Sequence, residues 1–237
     1  TYKNICKDLR RNFVTYKMFD ENLQFNFAEL EKKIAEILPK QERLVVFLNT
    51  PGHNPTGFSV NETDFGKILD ILQRQSKANN KPIILVLDVA YIDYAGDKDE
   101  VRKIFKQLET LPKNIFTIVC YSMSKGFTLY GQRCGAMIGC SCDKEIVDEF
   151  FEINKFSCRT TWSNGNRAAM QTLITIQKDP ALLAAVQAER KQNFDMIRAR
   201  ADVFTAEAKE CGARLTKLSA DTSMATVNIG KNIADDF

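Results

Sequence analysis

The side chains in this 237-residue chain that are best suited to covalent or acid-base chemistry fall in four short segments. Lys125 stands in Ser122-Met123-Ser124-Lys125-Gly126, directly after an apolar run. Partial loss of water there disfavours the ammonium, lowers its pKa and leaves an amine able to act as a nucleophile. The plain alternative is a solvated loop lysine, the commoner fate of any single lysine. Asp88 ends another apolar run, in Asp88-Val89-Ala90-Tyr91, where a carboxylate is costly unless a cation or a hydrogen-bond donor meets it. Its bland reading is a turn or helix cap. Arg133 lies eight residues beyond Lys125, between Gly131 and Gly135, which allow a close backbone approach. A guanidinium with serine hydroxyls nearby suits a phosphate, and a surface salt bridge is the alternative. The fourth segment, Asn54-Pro55-Thr56-Gly57, reads equally well as a tight turn.

The elements that must position these groups are legible from hydrophobic period. Leu44 to Leu48, Ile83 to Leu87 and Ile115 to Cys120 are apolar runs of strand length. Helical spacing precedes each of them: Phe27, Leu30, Ile34, Ile37 and Leu38 before the first, Phe65, Ile68, Leu69 and Leu72 before the second, and Val101, Ile104, Phe105 and Leu108 before the third. The short segment Ala136 to Ile138, between Gly135 and Gly139, predicts a fourth strand. Strands that are apolar on both faces and alternate with helices indicate the α/β class, with a mainly parallel sheet covered on both sides. In such sheets ligands bind beyond the carboxyl ends of the strands, and three of the four segments follow a predicted strand directly. Farther on, helices are expected over 144–156 and 166–177, then a helix of roughly thirty residues that starts with Asp179 as N-cap and Pro180 in the first turn and stops near Cys211-Gly212. Ala225 to Ile229 reads as the opening strand of a second domain. The expected division is 1–195 for the large domain and 196–237 for the end of the bridging helix and the start of a smaller one.

Composition narrows the class. The balance of 33 basic and 30 acidic side chains leaves +3, with 44% hydrophobic residues, which excludes a disordered chain, a collagen and a small disulfide scaffold. So small a charge gives no reason to expect a nucleic acid or an anionic membrane as partner. No apolar run approaches the ~20 residues that span a bilayer, and the expectation is a soluble, cytoplasmic chain. The seven cysteines form no framework, and Cys134, Cys140, Cys142 and Cys158 lack the paired spacing of a zinc site, so free thiols and no metal are expected. The single histidine, His53, reads as a loop residue beside Asn54, and no Walker or dinucleotide pattern is present.

The four segments in this order resemble the fold type I aminotransferases that depend on pyridoxal 5'-phosphate. The matching elements are Asn-Pro-Thr-Gly at 54–57, Asp-x-Ala-Tyr at 88–91, Ser-x-Ser-Lys at 122–125 and Arg-x-Gly at 133–135. Leu129-Tyr130-Gly131-Gln132-Arg133 is most similar to the branch containing aspartate and aromatic aminotransferases. The resemblance implies an α-β-α sandwich, the large domain of that fold, followed by a long bridging helix.

The same resemblance implies a role for each group. Lys125 would carry the cofactor as a Schiff base and then move the proton between substrate and cofactor, and Asp88 would pair with the pyridine nitrogen. Asn54 and Tyr91 would hydrogen-bond the ring oxygen, and Ser122, Ser124 and Arg133 would hold the phosphate. An amino group would pass between an aspartate-like or aromatic amino acid and a 2-oxo acid, in a homodimer. Another reaction on this scaffold, β-elimination or decarboxylation, and a non-catalytic cofactor-binding regulator domain are the alternatives. The family's glycine-rich phosphate loop, ring-stacking aromatic and partner-reaching tyrosine would precede Thr1, and its carboxylate-binding arginine would follow Phe237. The expectation is therefore the cofactor-binding part of a longer polypeptide.

Overall fold

In the computed structural model of the chain, residues 2–210, 214–215 and 227–228 are described. The three apolar runs become adjacent parallel strands, β1 (Leu44–Asn49), β2 (Ile83–Asp88) and β3 (Ile115–Ser122), joined at the far edge by β4 (Gly135–Cys140) in the order β1-β2-β3-β4. The register pairs Asn49 with Asp88 and Asp88 with Cys120, so β1 and β2 end level and β3 runs two residues farther, to Ser122. The fourth strand is present but runs antiparallel to β3. Ser122 itself pairs with Gly135, so the chain turns back along the edge without the crossover that a parallel neighbour needs.

The helices are α1 (Tyr2–Asp8), α2 (Phe27–Ile37), α3 (Glu62–Asn79), α4 (Lys98–Arg102), α5 (Met123–Gly126), α6 (Lys144–Thr161), α7 (Arg167–Lys178) and α8 (Pro180–Glu210). Three of them begin on asparagines the chain supplies: Asn26 Oδ1 accepts from the Glu29 amide, Asn61 Oδ1 from that of Asp64 and Asn166 Oδ1 from that of Ala169. Helix α3 ends where Asn80 takes a left-handed conformation, φ 50°, a habit of asparagine at helix ends. Its apolar stripe Phe65, Ile68, Leu69 and Leu72 is buried, together with Leu30 and Ile34 of α2 and Leu85 and Leu87 of β2. The helix expected through Val101 to Leu108 is instead the short α4 followed by a 3₁₀ segment, Lys103–Thr110, which keeps Ile104 and Leu108 buried. The tighter turn carries the same apolar pair inward.

The long helix begins as its sequence dictates. Asp179 Oδ1 accepts from the amides of Ala181 at 2.9 Å and Leu182 at 3.1 Å, and Pro180 is the first helical residue. Helix α8 then continues for 31 residues. The predicted stop at Cys211-Gly212 lies outside the described residues. Of the strand expected over 225–229, Val227–Asn228 is β6, paired antiparallel with β5 (Arg214–Leu215), and the rest lies outside them. Among the described residues no helix is long and apolar enough to cross a membrane.

Two expectations follow for stability, both read in the full-length protein. Leu85→Ala empties a fully buried place in the central strand and should cost about 2–5 kcal/mol in chemical denaturation. Burial pushes the Tyr16 phenol up to about 12. An unfolded tyrosine ionises near pH ~10 while the folded one keeps its proton, so the unfolded state binds fewer protons and stability falls as pH rises from about 10 to about 12. The urea midpoint should fall less between about pH 8 and pH 11 in Tyr16→Phe than in the unaltered protein.

Candidate active site

The adjacent strand ends gather the polar segments. At the end of β1, Asn49 Nδ2 donates to the Asp88 carbonyl at 2.9 Å, while Asn49 Oδ1 accepts from the Asn54 amide at 2.8 Å. The buried Thr50 donates its amide to the same Asp88 carbonyl and accepts at Oγ1 from the Val60 amide at 2.9 Å. These bonds fold the 50–60 loop back over the sheet. Gly52, at φ 76°, is where that loop meets the next segment, because a Cβ there would stand 2.9 Å from Tyr91 Cβ. Asn54 Nδ2 thereby reaches Tyr91 Oη at 3.3 Å. His53 stays in the loop, its Nδ1 2.8 Å from Thr56 Oγ1, and burial lowers its pKa.

At the end of β2 the Asp88 carboxylate meets neutral donors. Oδ1 accepts from the Ala90 amide at 3.1 Å, and Oδ2 accepts from the Tyr2 hydroxyl. Tyr2 lies stacked on Phe47 of β1, with ring centroids 5.1 Å apart, and burial followed by the Asp88 carboxylate pushes its phenol upward, so it remains a donor. No cationic side chain among the described residues forms an ion pair with Asp88.

At the end of β3, Ser122 Oγ accepts from the Ser124 amide at 3.2 Å and caps α5, the turn that carries Lys125. Ser124 is buried within that turn. Lys125 Nζ donates to the Tyr130 hydroxyl and lies 3.9 Å from the Tyr130 ring centroid and 5.2 Å from that of Tyr91. A depressed pKa, expected from desolvation, is not found. Burial does lower it, but the hydrogen bonds to the Tyr130 and Tyr91 phenols outweigh burial and leave it above the ordinary lysine value. Arg133, left-handed at φ 51°, donates Nη1 to the Tyr130 carbonyl at 3.2 Å. Tyr130 thus holds Lys125 by its hydroxyl and Arg133 by its backbone.

The structure brings Asn54, Tyr91 and Lys125 into one group around the Tyr91 ring, with Asp88 in register on the neighbouring strand. It shows no direct bond between Arg133 and either serine. The sequence reading missed Tyr2, Asn49 and Tyr130. Asn49 was detectable as the polar end of the first strand, whereas Tyr2 lies 86 residues from Asp88 and no spacing connects the two. Also missed were Asp93 and Arg190. Asp93 accepts from Arg102 and Arg190, and Arg190 in turn bonds to the Gly126 carbonyl behind the lysine turn.

The donor set suits one kind of small molecule: a carboxylate for a ring N–H, an amide and a phenol for a ring oxygen, an amine for a carbonyl carbon, and hydroxyl and guanidinium groups for a phosphate. A family model described as aminotransferase class I and II matches residues 1–234. The tyrosine aminotransferase of Klebsiella pneumoniae is 27% identical over 74% of this chain and 42% of its own length. An aminotransferase from Anaerococcus prevotii is similar in structure with a TM-score of 0.88 at 36% identity, over 91% of this chain and 53% of that one. An aromatic-amino-acid aminotransferase from Burkholderia pseudomallei, covalently bound to pyridoxal phosphate, has a TM-score of 0.74 over 95% of this chain and 54% of its own, a likeness of fold alone at 22% identity. The chain spans about half the length of the relatives it matches. The family model covers nearly the whole chain, and the chain belongs to the class I and II aminotransferases.

Proposed function

We propose that residues 1–195 form the cofactor-binding domain of a pyridoxal-phosphate-dependent aminotransferase, with 196–237 leading into its smaller domain. The observation that carries this reading is the grouping of Asn54, Tyr91 and Lys125 at adjacent strand ends beside an Asp88 carboxylate without a cationic partner among the described residues. A part-buried carboxylate given neutral donors favours a positively charged ligand group, such as a protonated ring nitrogen. When bound, the cofactor supplies an electron sink for the charge that develops at the substrate α-carbon.

The residues of the chain divide the remaining work. Lys125 carries the amine that holds the cofactor, and its Nζ takes and returns the proton at the substrate α-carbon. The Tyr130 hydroxyl accepts from its ammonium, and Nζ rests over the Tyr130 and Tyr91 rings between transfers. Tyr2 and the Ala90 amide orient the Asp88 carboxylate, one on each oxygen. Asn54 and Tyr91 donate to the ring oxygen, while Ser122, Ser124 and Arg133 receive the phosphate. The substrates are an aromatic or aspartate-like amino acid and a 2-oxo acid, handled in two half-reactions in a homodimer. The similarity of 129–133 to that branch and the tyrosine aminotransferase relative support this choice.

In the full-length protein with cofactor, borohydride should fix a pyridoxyl group on the peptide containing Lys125. Lys125→Ala should abolish that adduct and lower kcat by at least about 100-fold. An adduct persisting elsewhere in the mutant overturns the assignment, and pyruvate and ammonia appearing without glutamate, with 2-oxoglutarate present, overturns transamination. Asp88→Asn should keep the adduct but reduce kcat about 100-fold, since it removes preorganised charge from the reacting centre. Tyr2→Phe, which removes one donor to a charged acceptor, should reduce kcat about 10-fold with the adduct intact.

A further inference from the structure

The turn that carries Lys125 cannot hold itself in place. Helix α5 has four residues, far below the length at which a helix is stable alone, so contacts at its two ends fix it. The front is capped by Ser122. The back ends on Gly126, whose carbonyl accepts from Arg190 Nε of α8 at 2.9 Å, across 64 residues of sequence. The same guanidinium gives Nη1 to Asp93 Oδ1 at 3.2 Å and lies 4.9 Å from the centre of the Phe127 ring.

Asp93 completes the arrangement. Its side chain is only 5% exposed, and it also accepts from Arg102 Nη2 at 2.9 Å and from the Tyr121 hydroxyl at 3.0 Å. Its carboxylate presses on the lysine turn so closely that a Cβ on Gly126 would stand 2.0 Å from Oδ2. Arg190 occupies a position in the inward stripe of α8, between Val186 and Phe194, where an apolar residue would bury at lower cost. Its Nη2 is buried with no acceptor among the described residues. This is a costly use of a guanidinium if its only purpose is to pack a helix.

We infer that Asp93 and Arg190 are positioning residues for Lys125: a clamp in which α8 grips the carbonyl behind the lysine turn while Asp93 supports the turn from below. The inference rests on the reading of Lys125 as the cofactor-holding lysine. Neither residue needs to touch substrate, and the clamp acts through where it places Nζ. A displacement near 1 Å at a reacting group is enough to slow proton transfer by up to about 100-fold.

Arg190→Lys in the full-length protein tests this, because lysine keeps the charge near Asp93 but lacks the second arm that reaches Gly126. The amides of Phe127 and Thr128 should exchange hydrogen at least about 5-fold faster without cofactor. With cofactor, the induced circular dichroism of the lysine-bound chromophore should fall by about half and kcat about 10-fold, with KM within about 2-fold. Asp93→Asn should act in the same direction. Leu183→Ala, elsewhere on α8, is the control for mere loosening of the helix, and it should lower Tm while leaving exchange at 127–128, dichroism and kcat unchanged. The clamp is overturned if Arg190→Lys lowers Tm alone, or if Leu183→Ala reproduces its spectroscopic and kinetic changes. If the unaltered protein forms no borohydride-reducible adduct, the functional reading fails instead, and the exchange rates still decide whether Arg190 holds the turn.

Discussion

The in-register parallel pairing of β1, β2 and β3 is the constraint from which the rest follows. Strands covered on both faces must be apolar along their length, so polar side chains are pushed to the ends, and the register decides whether those ends coincide. Here Asn49, Asp88 and Cys120 are neighbours across the ladder, and the chain leaves all three strands in the same direction. A shift of one residue in the β1–β2 pairing would move Asp88 away from the Asn49 amide that fixes its carbonyl. It would also turn the side chain to the opposite face. The hydrophobic core thus does more than stabilise, since it sets the relative height of the chemical groups.

Asp88 and Asp93 show how one short segment treats the same side chain in two ways. Asp93 is surrounded by two guanidiniums and a phenol and is electrostatically satisfied within the protein. Asp88 receives a phenol and a backbone amide, which orient it without supplying charge. A carboxylate paired with arginine has little attraction left for a ligand, whereas one held by neutral donors keeps most of its field. The separation of support from binding is therefore achieved by choosing the charge of the partners.

Much of this was legible in the sequence, for identifiable reasons. The strands expected over 44–48, 83–87 and 115–120 and the helices with clear stripes follow from period alone, and Asn54, Asp88, Tyr91 and Lys125 were marked by their place after those runs. The antiparallel sense of β4 was not visible, because three residues of short strand carry no sign of direction. The state of Lys125 differs from the desolvated amine expected, because its pairing with Tyr130 depends on how the chain after the lysine turn folds back over Nζ, which spacing alone does not show. Tyr2 and Arg190 escaped because their partners are remote, and an arginine in a helical stripe looks like a break in the pattern until Asp93 is seen beneath it.

The length of α8 has a mechanical side. From Arg190 the helix extends about 15 Å to Pro180 and about 30 Å to Glu210, at 1.5 Å per residue. It is a lever with its anchorage one third of the way along. Were α8 to pivot there by 5°, the distal end would travel about 2.6 Å, while atoms beside the anchorage would move by a few tenths of an ångström. The lysine turn is tied at the quiet point of that lever, so whatever is attached beyond Glu210 can swing without dragging the reactive amine with it.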